Sequence, residues 1–128
     1  MRWTVGKVRK ALGNKLIGNA FMREHVSNAL LVLPSNIIER ICRTVWFVSS
    51  PEDAWAFTFR GAEIRNRHLI FISDELLLQD KEQIRYTILH EVGHVVLNHS
   101  NSIGLLQTKS EIKQQETEAD NFVKKYVD

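Results

Sequence analysis

The sequence predicts an α+β fold, and three features of the chain predict it. Residues 80–99 form a helical segment that is apolar on most of its circumference and contains no proline, which is typical of a buried helix. Three short runs rich in β-branched and aromatic residues precede that segment, and apolar residues recur at helical spacing over residues 109–127. We therefore expect a small twisted sheet of about three strands packed on the buried helix, with a further helix near each end of the chain.

The composition is that of an ordinary folded domain. The chain has 128 residues, of which 44% are hydrophobic and 25% charged, so we expect one domain over residues 1–128. No apolar run approaches the length of a membrane span, and the first residues carry no apolar leader. The single cysteine, Cys42, excludes an internal disulfide, so we expect a cytoplasmic protein without a membrane partner.

The net charge of +2 conceals an uneven distribution. Residues 1–51 contain eight Lys and Arg against two Glu, whereas the rest of the chain contains nine against thirteen acidic residues. A basic half can favour nucleic acid or an acidic partner. These charges are scattered, however, and no aromatic residues interleave with them as a stacking surface would need, so direct nucleic-acid binding is disfavoured.

The first part of the chain is expected to form helices, apart from one segment for which the pattern leaves both helix and strand open. Residues 4–17 fit a first helix because their apolar residues fall on one stripe. Residues 20–33 suit a helix, although their last four residues also suit a short strand. Pro34 ends this segment, and Ser35 or Asn36 can then cap a short helix.

Three strands are expected between that short helix and the buried one. Residues 44–49 are rich in Val and aromatic residues, and residues 55–59 alternate large apolar with small residues. Residues 68–73 form the third apolar run, which leads almost directly into the buried helix. The aromatic residues of these runs are expected in the core of the sheet.

The buried helix carries the pattern His-Glu-Val-Gly-His at residues 90–94. Residues four apart on a helix lie on the same face, so His90 and His94 can offer imidazole nitrogens to one metal ion. Glu91 lies beside that pair and can take a proton from a metal-bound water without being a ligand itself. Two neutral nitrogens, a carboxylate base and an open coordination position are what a zinc hydrolase requires.

A catalytic zinc site usually has a third protein ligand, and the last helix offers three acidic residues for this role. Glu116 lies with Asp120 on the helix face that should meet the core. Glu118 is turned roughly 200° away from Glu116 at the helical repeat. We therefore expect Glu116 to be the ligand, and Asp120 to accept a hydrogen bond from the other ring N–H of a ligating histidine. The alternative is that all three acids form a solvated face.

His99 is the rival third ligand. A longer pattern of zinc peptidases, H-E-x-x-H-x-x-G-x-x-H, would need Gly at position 97 and His at position 100. The chain has Leu97 and Ser100 there, so that class is disfavoured. His99 is expected near the end of the helix, where a partial positive charge suits the helix dipole.

A family resemblance is carried by three segments, Ile70–Ile72, Arg85–His99 and Glu116–Phe122. These segments resemble the ImmA/IrrE-type zinc metallopeptidases, which belong to the wider zincin fold. They are similar to the family's strand, to its R-x-T-x-x-H-E-x-G-H-x-x-x-H-like helix and to its E-x-E-A-[N/D]-x-F segment, and the last also resembles the glutamate helix of thermolysin-like enzymes. The resemblance implies a zincin-like, cytoplasmic peptidase of prokaryotic or phage origin, which acts on a DNA-binding repressor in stress or mobile-element responses. No helix-turn-helix segment is visible, so a repressor would be a separate protein.

The expected activity is zinc-dependent hydrolysis of peptide bonds. His90, His94 and Glu116 are expected to hold Zn²⁺, and Glu91 to activate the water. The strand at residues 68–73 is expected to offer the sheet edge along which an extended substrate lies. Two alternatives stay open: a zinc-containing binding module that sequesters a regulator without cutting it, and a latent minimal peptidase. A nucleic-acid binder that uses the basic half is the weaker third alternative.

Overall fold

The computed structural model describes residues 2–50, 56–60, 68–99 and 109–127. Within these residues the chain forms five α-helices, four β-strands and two 3₁₀ turns. In chain order the elements are α1 (Val5–Leu12), a 3₁₀ turn (Gly13–Lys15), β1 (Leu16–Ile17), α2 (Ala20–Leu30), α3 (Ser35–Thr44), β2 (Val45–Ser50), β3 (Ala56–Arg60), β4 (His68–Ser73), a second 3₁₀ turn (Leu76–Leu78), α4 (Lys81–Val96) and α5 (Lys109–Tyr126).

α1 is shorter than the helix predicted over residues 4–17. It ends at Leu12 because Gly13 takes a positive φ of 52°, which turns the chain out of the helix. The backbone then passes through the 3₁₀ turn into β1, a strand of only two residues. Such a strand is too short to show a period-2 pattern, so the sequence does not predict it.

The segment over residues 20–33 takes the helical alternative and forms α2. Its N-cap is Asn19, whose side chain accepts a backbone hydrogen bond over 2.9 Å. α3 begins directly after Pro34, which holds the N-cap position without a side-chain cap. The predicted cap at Ser35 or Asn36 is therefore wrong, because the proline backbone, with φ of −61°, leads into the helix one residue earlier.

The described strands form one mixed sheet in the order β1-β2-β4-β3. β1, β2 and β4 run parallel to one another, and β3 pairs antiparallel with β4. The three predicted strands lie close to their predicted bounds, although residue 55 of the second lies outside the described residues. β4 is hydrogen-bonded on both sides, so the prediction that residues 68–73 form a substrate-binding edge is wrong. The edges of the described sheet are β1 and β3.

α4 is the buried helix of the fold, as predicted. It contacts β3 and β4 of the sheet, and it also contacts α2 and α5. Although α4 is largely apolar, no helix in the described parts of the chain is both long and apolar enough to span a membrane. The side chains of α4 that are at most 1% exposed include Ile84, Ile88, Leu89, Val92 and Val95. Among the sheet residues whose burial is described, those with 0% exposure are Val45, Phe47, Ile70 and Ile72.

Candidate metal centre

The start of α4 is fixed by a side-chain cap. Asp80 Oδ1 accepts a hydrogen bond of 2.8 Å from the backbone N–H of Gln83. The side-chain amide of Gln83 donates to Thr87 Oγ1 over 2.9 Å, one turn further along the helix. The cap and the buried apolar residues together make α4 a firm support for the two histidines near its other end.

His90, His94 and Glu116 come together where α4 packs against α5. His90 Nε2 lies 2.7 Å from Glu116 Oε2, and His94 Nε2 lies 3.1 Å from Glu116 Oε1. One possible ligand atom of each residue lies within 4.8 Å of the others. The Glu116 side chain is 53% exposed, whereas those of the histidines are 16% and 12% exposed, so the cluster meets solvent on the side of the carboxylate. These three residues could hold a metal ion.

Gly93 allows α5 to approach α4 closely enough to form this cluster. A Cβ atom at Gly93 would lie 3.0 Å from Phe122 Cδ2 and 3.4 Å from the carbonyl oxygen of Ala119, and the first distance is tighter than ordinary packing allows. Ala119 is one turn after Glu116 on the same face of α5. The sequence prediction missed the role of Gly93, although a glycine inside an apolar helix is a recognisable sign of close packing.

Asp120 lies within hydrogen-bonding distance of His90 Nδ1, the ring nitrogen that points away from Glu116. Its Oδ1 atom lies 2.9 Å from His90 Nδ1, and the Tyr86 hydroxyl donates to the same oxygen over 2.7 Å. Burial, followed by the hydrogen bond to Asp120 and its negative charge, raises the pKa of Tyr86 to about 12. Tyr86 therefore stays protonated and can donate to Asp120 throughout the neutral range.

His99 lies within hydrogen-bonding distance of His94 Nδ1, the ring nitrogen of His94 that points away from Glu116. The two Nδ1 atoms lie 2.8 Å apart, and His99 Nε2 lies 3.1 Å from Glu118 Oε1. His99 is therefore placed behind His94 and does not join the cluster around Glu116. Glu118 pairs with His99. Glu116, rather than Glu118, is therefore the acid that lies against the Nε2 atoms of His90 and His94.

Glu91 lies beside the cluster and is almost entirely buried, with 6% of its surface exposed. Its Oε2 atom is 4.0 Å from His94 Nε2, the nitrogen that faces Glu116. That distance is too long for a direct hydrogen bond, so Glu91 lies next to His94 without bonding to its Nε2 atom.

The protonation state of His94 suits a metal ligand. Burial lowers the pKa of His94, and the neighbouring rings of His90 and His99 act in the same direction. The charge of Glu116 and its hydrogen bond oppose this shift without reversing it. A lowered pKa favours the neutral imidazole, which is the form that coordinates a metal.

The fold and the cluster define an α+β protein with a candidate metal centre of two histidines and one glutamate. A family model described as Peptidase U49 matches residues 81–127, the segment from the start of α4 to just beyond α5. This match supports a peptidase family, in agreement with the predicted activity, but it does not point specifically to the ImmA/IrrE-type enzymes. A search of curated proteins and a search of solved structures found no match.

Proposed function

We propose that this protein is a zinc-dependent peptidase whose metal ligands are His90, His94 and Glu116. The observation that carries the proposal is that the two oxygens of Glu116 each face the Nε2 atom of one histidine, at 2.7 and 3.1 Å. Two imidazole nitrogens and one carboxylate are a ligand set of catalytic zinc sites, which keep a fourth position open. The similarity of residues 81–127 to Peptidase U49 supports the peptidase activity.

The outer partner of His90 supports a cation at this position. An ionised carboxylate only accepts hydrogen bonds, so neutral His90 carries its proton on Nδ1 when it bonds to Asp120. The Nε2 atom then presents a lone pair to a carboxylate oxygen of Glu116 2.7 Å away. Two lone pairs at that distance repel each other unless the positive charge of a further proton or of a metal ion lies between them. A divalent metal ion would supply this charge to both atoms.

Glu91 is the proposed general base. Zn²⁺ bound by the three ligands would lower the pKa of a water molecule and polarise the scissile carbonyl of the substrate. The Glu91 carboxylate, 4.0 Å from His94 Nε2, takes the proton of the attacking water and passes it to the leaving amine. Its burial restricts its side-chain motion, which favours a fixed position of the carboxylate beside the metal ligands.

The proposed substrate is a protein segment in extended conformation. β3 is an edge of the described sheet and contacts α4, the helix that carries the catalytic residues. A peptide that adds to this edge would be held mainly by backbone hydrogen bonds, which give affinity with little sequence preference. The resemblance to ImmA/IrrE-type peptidases favours a separate, repressor-like regulatory protein in the cytoplasm as the first candidate substrate. We propose that residues 1–128 form the single domain that cuts it.

The test compares Glu91→Gln with Glu82→Gln, the same substitution at an exposed position of α4. Each variant is incubated with a panel of repressor-like proteins and with casein as an unfolded substrate, and products are identified by mass spectrometry. We expect Glu91→Gln to keep its zinc and lose cleavage, and Glu82→Gln to keep both. Cleavage by Glu91→Gln at the wild-type rate would contradict the mechanism.

The same assay separates the peptidase from a zinc-containing binding module. A wild-type protein that binds a candidate regulator stably, retains its zinc and releases no products would favour the module. Cleavage products that require zinc would favour the peptidase. Size-exclusion chromatography of the mixture, followed by mass spectrometry of each peak, distinguishes these results.

A further inference from the structure

The chain turns back sharply at the end of α4 and brings His99 next to His94. Asn98 has a positive φ of 63°, a conformation that asparagine tolerates better than most residues. The His99 N–H donates to the His94 carbonyl over 2.9 Å, and the Asn98 N–H donates to the Val95 carbonyl over 3.1 Å. These two bonds form a Schellman motif, in which the residue after the left-handed position folds back on the last turn of the helix.

The side chains of this turn continue the contact. His99 Nδ1 lies 2.8 Å from His94 Nδ1, and the two side chains are only 9% and 12% exposed. His99 Nε2 lies 3.1 Å from Glu118 Oε1 on α5. His94 is therefore linked on one side to Glu116, through Nε2, and on the other to Glu118, through His99.

When both imidazoles are neutral, only one arrangement of protons satisfies the two contacts of His99, with His94 and with Glu118. The Glu118 carboxylate accepts, so His99 carries its proton on Nε2 and leaves Nδ1 as an acceptor. His94 must then carry its proton on Nδ1 in order to donate to His99. The Nε2 atom of His94 is left with a free lone pair, and this is the atom that faces Glu116.

We propose that His99 is a positioning residue that, through Glu118, holds the proton of His94 on Nδ1 and so presents Nε2 to the metal. This inference rests on the proposed zinc site at His90, His94 and Glu116. His99 does not touch the substrate or the metal, and it acts by fixing the tautomer and ring orientation of a ligand. The short pattern at residues 90–94 ends before His99 and does not include this role.

The first test compares His99→Asn with His99→Phe. An asparagine amide oxygen can replace Nδ1 as an acceptor, whereas phenylalanine keeps a ring of similar shape without any acceptor. Zinc affinity is measured by competition with a fluorescent chelator, and the fold is checked by circular dichroism. We expect a loss of about tenfold to a hundredfold in affinity for His99→Phe and recovery of most of it in His99→Asn. Equal, wild-type affinity in both variants, or an equal loss in both, would overturn the proposal.

The second test does not depend on zinc. Nitrogen-15 NMR of the histidine rings in the metal-free protein reports which nitrogen carries the proton. We expect His94 to be the Nδ1–H tautomer in the wild type and a mixture of tautomers in His99→Phe. A wild-type His94 with its proton on Nε2 would overturn the inference, whatever the zinc result. Failure of the wild type to bind zinc would instead overturn the proposed function, and NMR would then decide the role of His99 alone.

Glu118 supplies a check that leaves the turn intact, because its side chain is 46% exposed and lies on α5. Glu118→Gln still offers an oxygen that accepts from His99 Nε2, whereas Glu118→Ala offers none. We expect Glu118→Gln to keep the zinc affinity and the His94 tautomer, and Glu118→Ala to shift both in the direction of His99→Phe but by less. A variant Glu118→Ala with an unchanged His94 tautomer would show that Glu118 has no part in the positioning.

Discussion

The two histidines of the candidate site are held in different ways. Each has a partner within 2.9 Å of its Nδ1 atom, and each turns Nε2 towards the same glutamate. The partners come from different kinds of structure: one from the middle of a helix packed alongside, the other from the turn that ends the histidines' own helix. The His90 branch consists of His90, Asp120 and Tyr86, and the His94 branch consists of His94, His99 and Glu118.

This difference shows that the packing of α5 affects both halves of the site, whereas the backbone conformation of the turn affects only the half around His94. The His90 branch depends on how closely α5 approaches α4, which is limited by the contact of Gly93 with Phe122 and Ala119. The His94 branch depends on the backbone of Asn98, which takes a left-handed conformation. Changes in packing should therefore damage both branches together with Glu116, because Asp120 and Glu118 also lie on α5. Changes in the turn should damage only the His94 branch.

The largest expected effect is that of Gly93→Ala. The added Cβ would press on Phe122 and push α5, with its carboxylates, away from the histidines. Overpacking of this kind costs about 1–3 kcal/mol, which offsets the gain of ~1 kcal/mol from replacing a glycine inside a helix. We expect zinc binding to be lost or strongly weakened, as measured by chelator competition.

Two controls sharpen this prediction. Gly6→Ala, in α1, introduces a Cβ whose nearest neighbour is 3.9 Å away, so it should leave zinc affinity unchanged. Gly93→Ala combined with Phe122→Leu should recover part of the affinity, because the smaller side chain gives room. Full zinc affinity in Gly93→Ala alone would show that the approach of α5 does not control the site.

The next effect in size is that of Asp120→Ala. Loss of the acceptor frees the tautomer and orientation of His90, and losses of about tenfold to a hundredfold in metal affinity are typical of such changes. Asn121→Ala, at the exposed neighbouring position of α5, is the matched control and should bind zinc as the wild type does. Isothermal titration with zinc measures the affinity of both variants. Equal affinities would show that Asp120 does not position His90 for the metal.

The turn of the His94 branch is tested by Asn98→Val against Asn98→Gly. A β-branched residue in a left-handed conformation costs about 1–2 kcal/mol, whereas glycine adopts it freely. We expect the valine variant to unfold at a lower temperature and to bind zinc more weakly, while the glycine variant keeps its zinc affinity. Thermal unfolding with and without zinc measures both effects, and identical behaviour of the two variants would contradict the role of the turn.

The smallest expected effect concerns Tyr86→Phe, which removes the hydroxyl that donates to Asp120. Loss of one such bond costs ~1 kcal/mol of stability. Because the fold raises the pKa of Tyr86 from 10.0 to about 12, the protonated phenol is the stabilised form. This contribution is complete below pH 10 and is lost as the pH rises towards 12. The ultraviolet difference titration of wild type minus variant should therefore show a phenol that ionises later than a free tyrosine.

The parts of the site that follow from helical periodicity could be predicted from the sequence. The spacing of His90 and His94 puts them on one face of α4, and the angle between Glu116 and Glu118 on α5 separates the carboxylate facing the histidines from the other. The same reasoning places Asp120 one turn after Glu116. These residues lie on long helices with clear apolar stripes, where local sequence determines which side chains share a face.

The parts that depend on one backbone angle or on distant pairing could not be predicted in this way. His99 comes next to His94 only because Asn98 reverses the chain, and a periodic pattern does not show such a reversal. The interior position of β4 depends on pairing with β2, which is distant in sequence, and β1 has too few residues for a pattern. The role of Gly93 needs the position of α5, which lies well after α4 in the chain.

The assignment of Glu116 as a zinc ligand is tested by the zinc content of the purified protein, measured by elemental mass spectrometry for the wild type, Glu116→Gln and Glu118→Gln. We predict about one zinc per chain in the wild type and in Glu118→Gln, and a clear loss in Glu116→Gln, because Glu116 is the acid that faces both Nε2 atoms. A wild-type protein that contains no zinc and takes up none when zinc is added would contradict the account. So would a loss of zinc in Glu118→Gln alone.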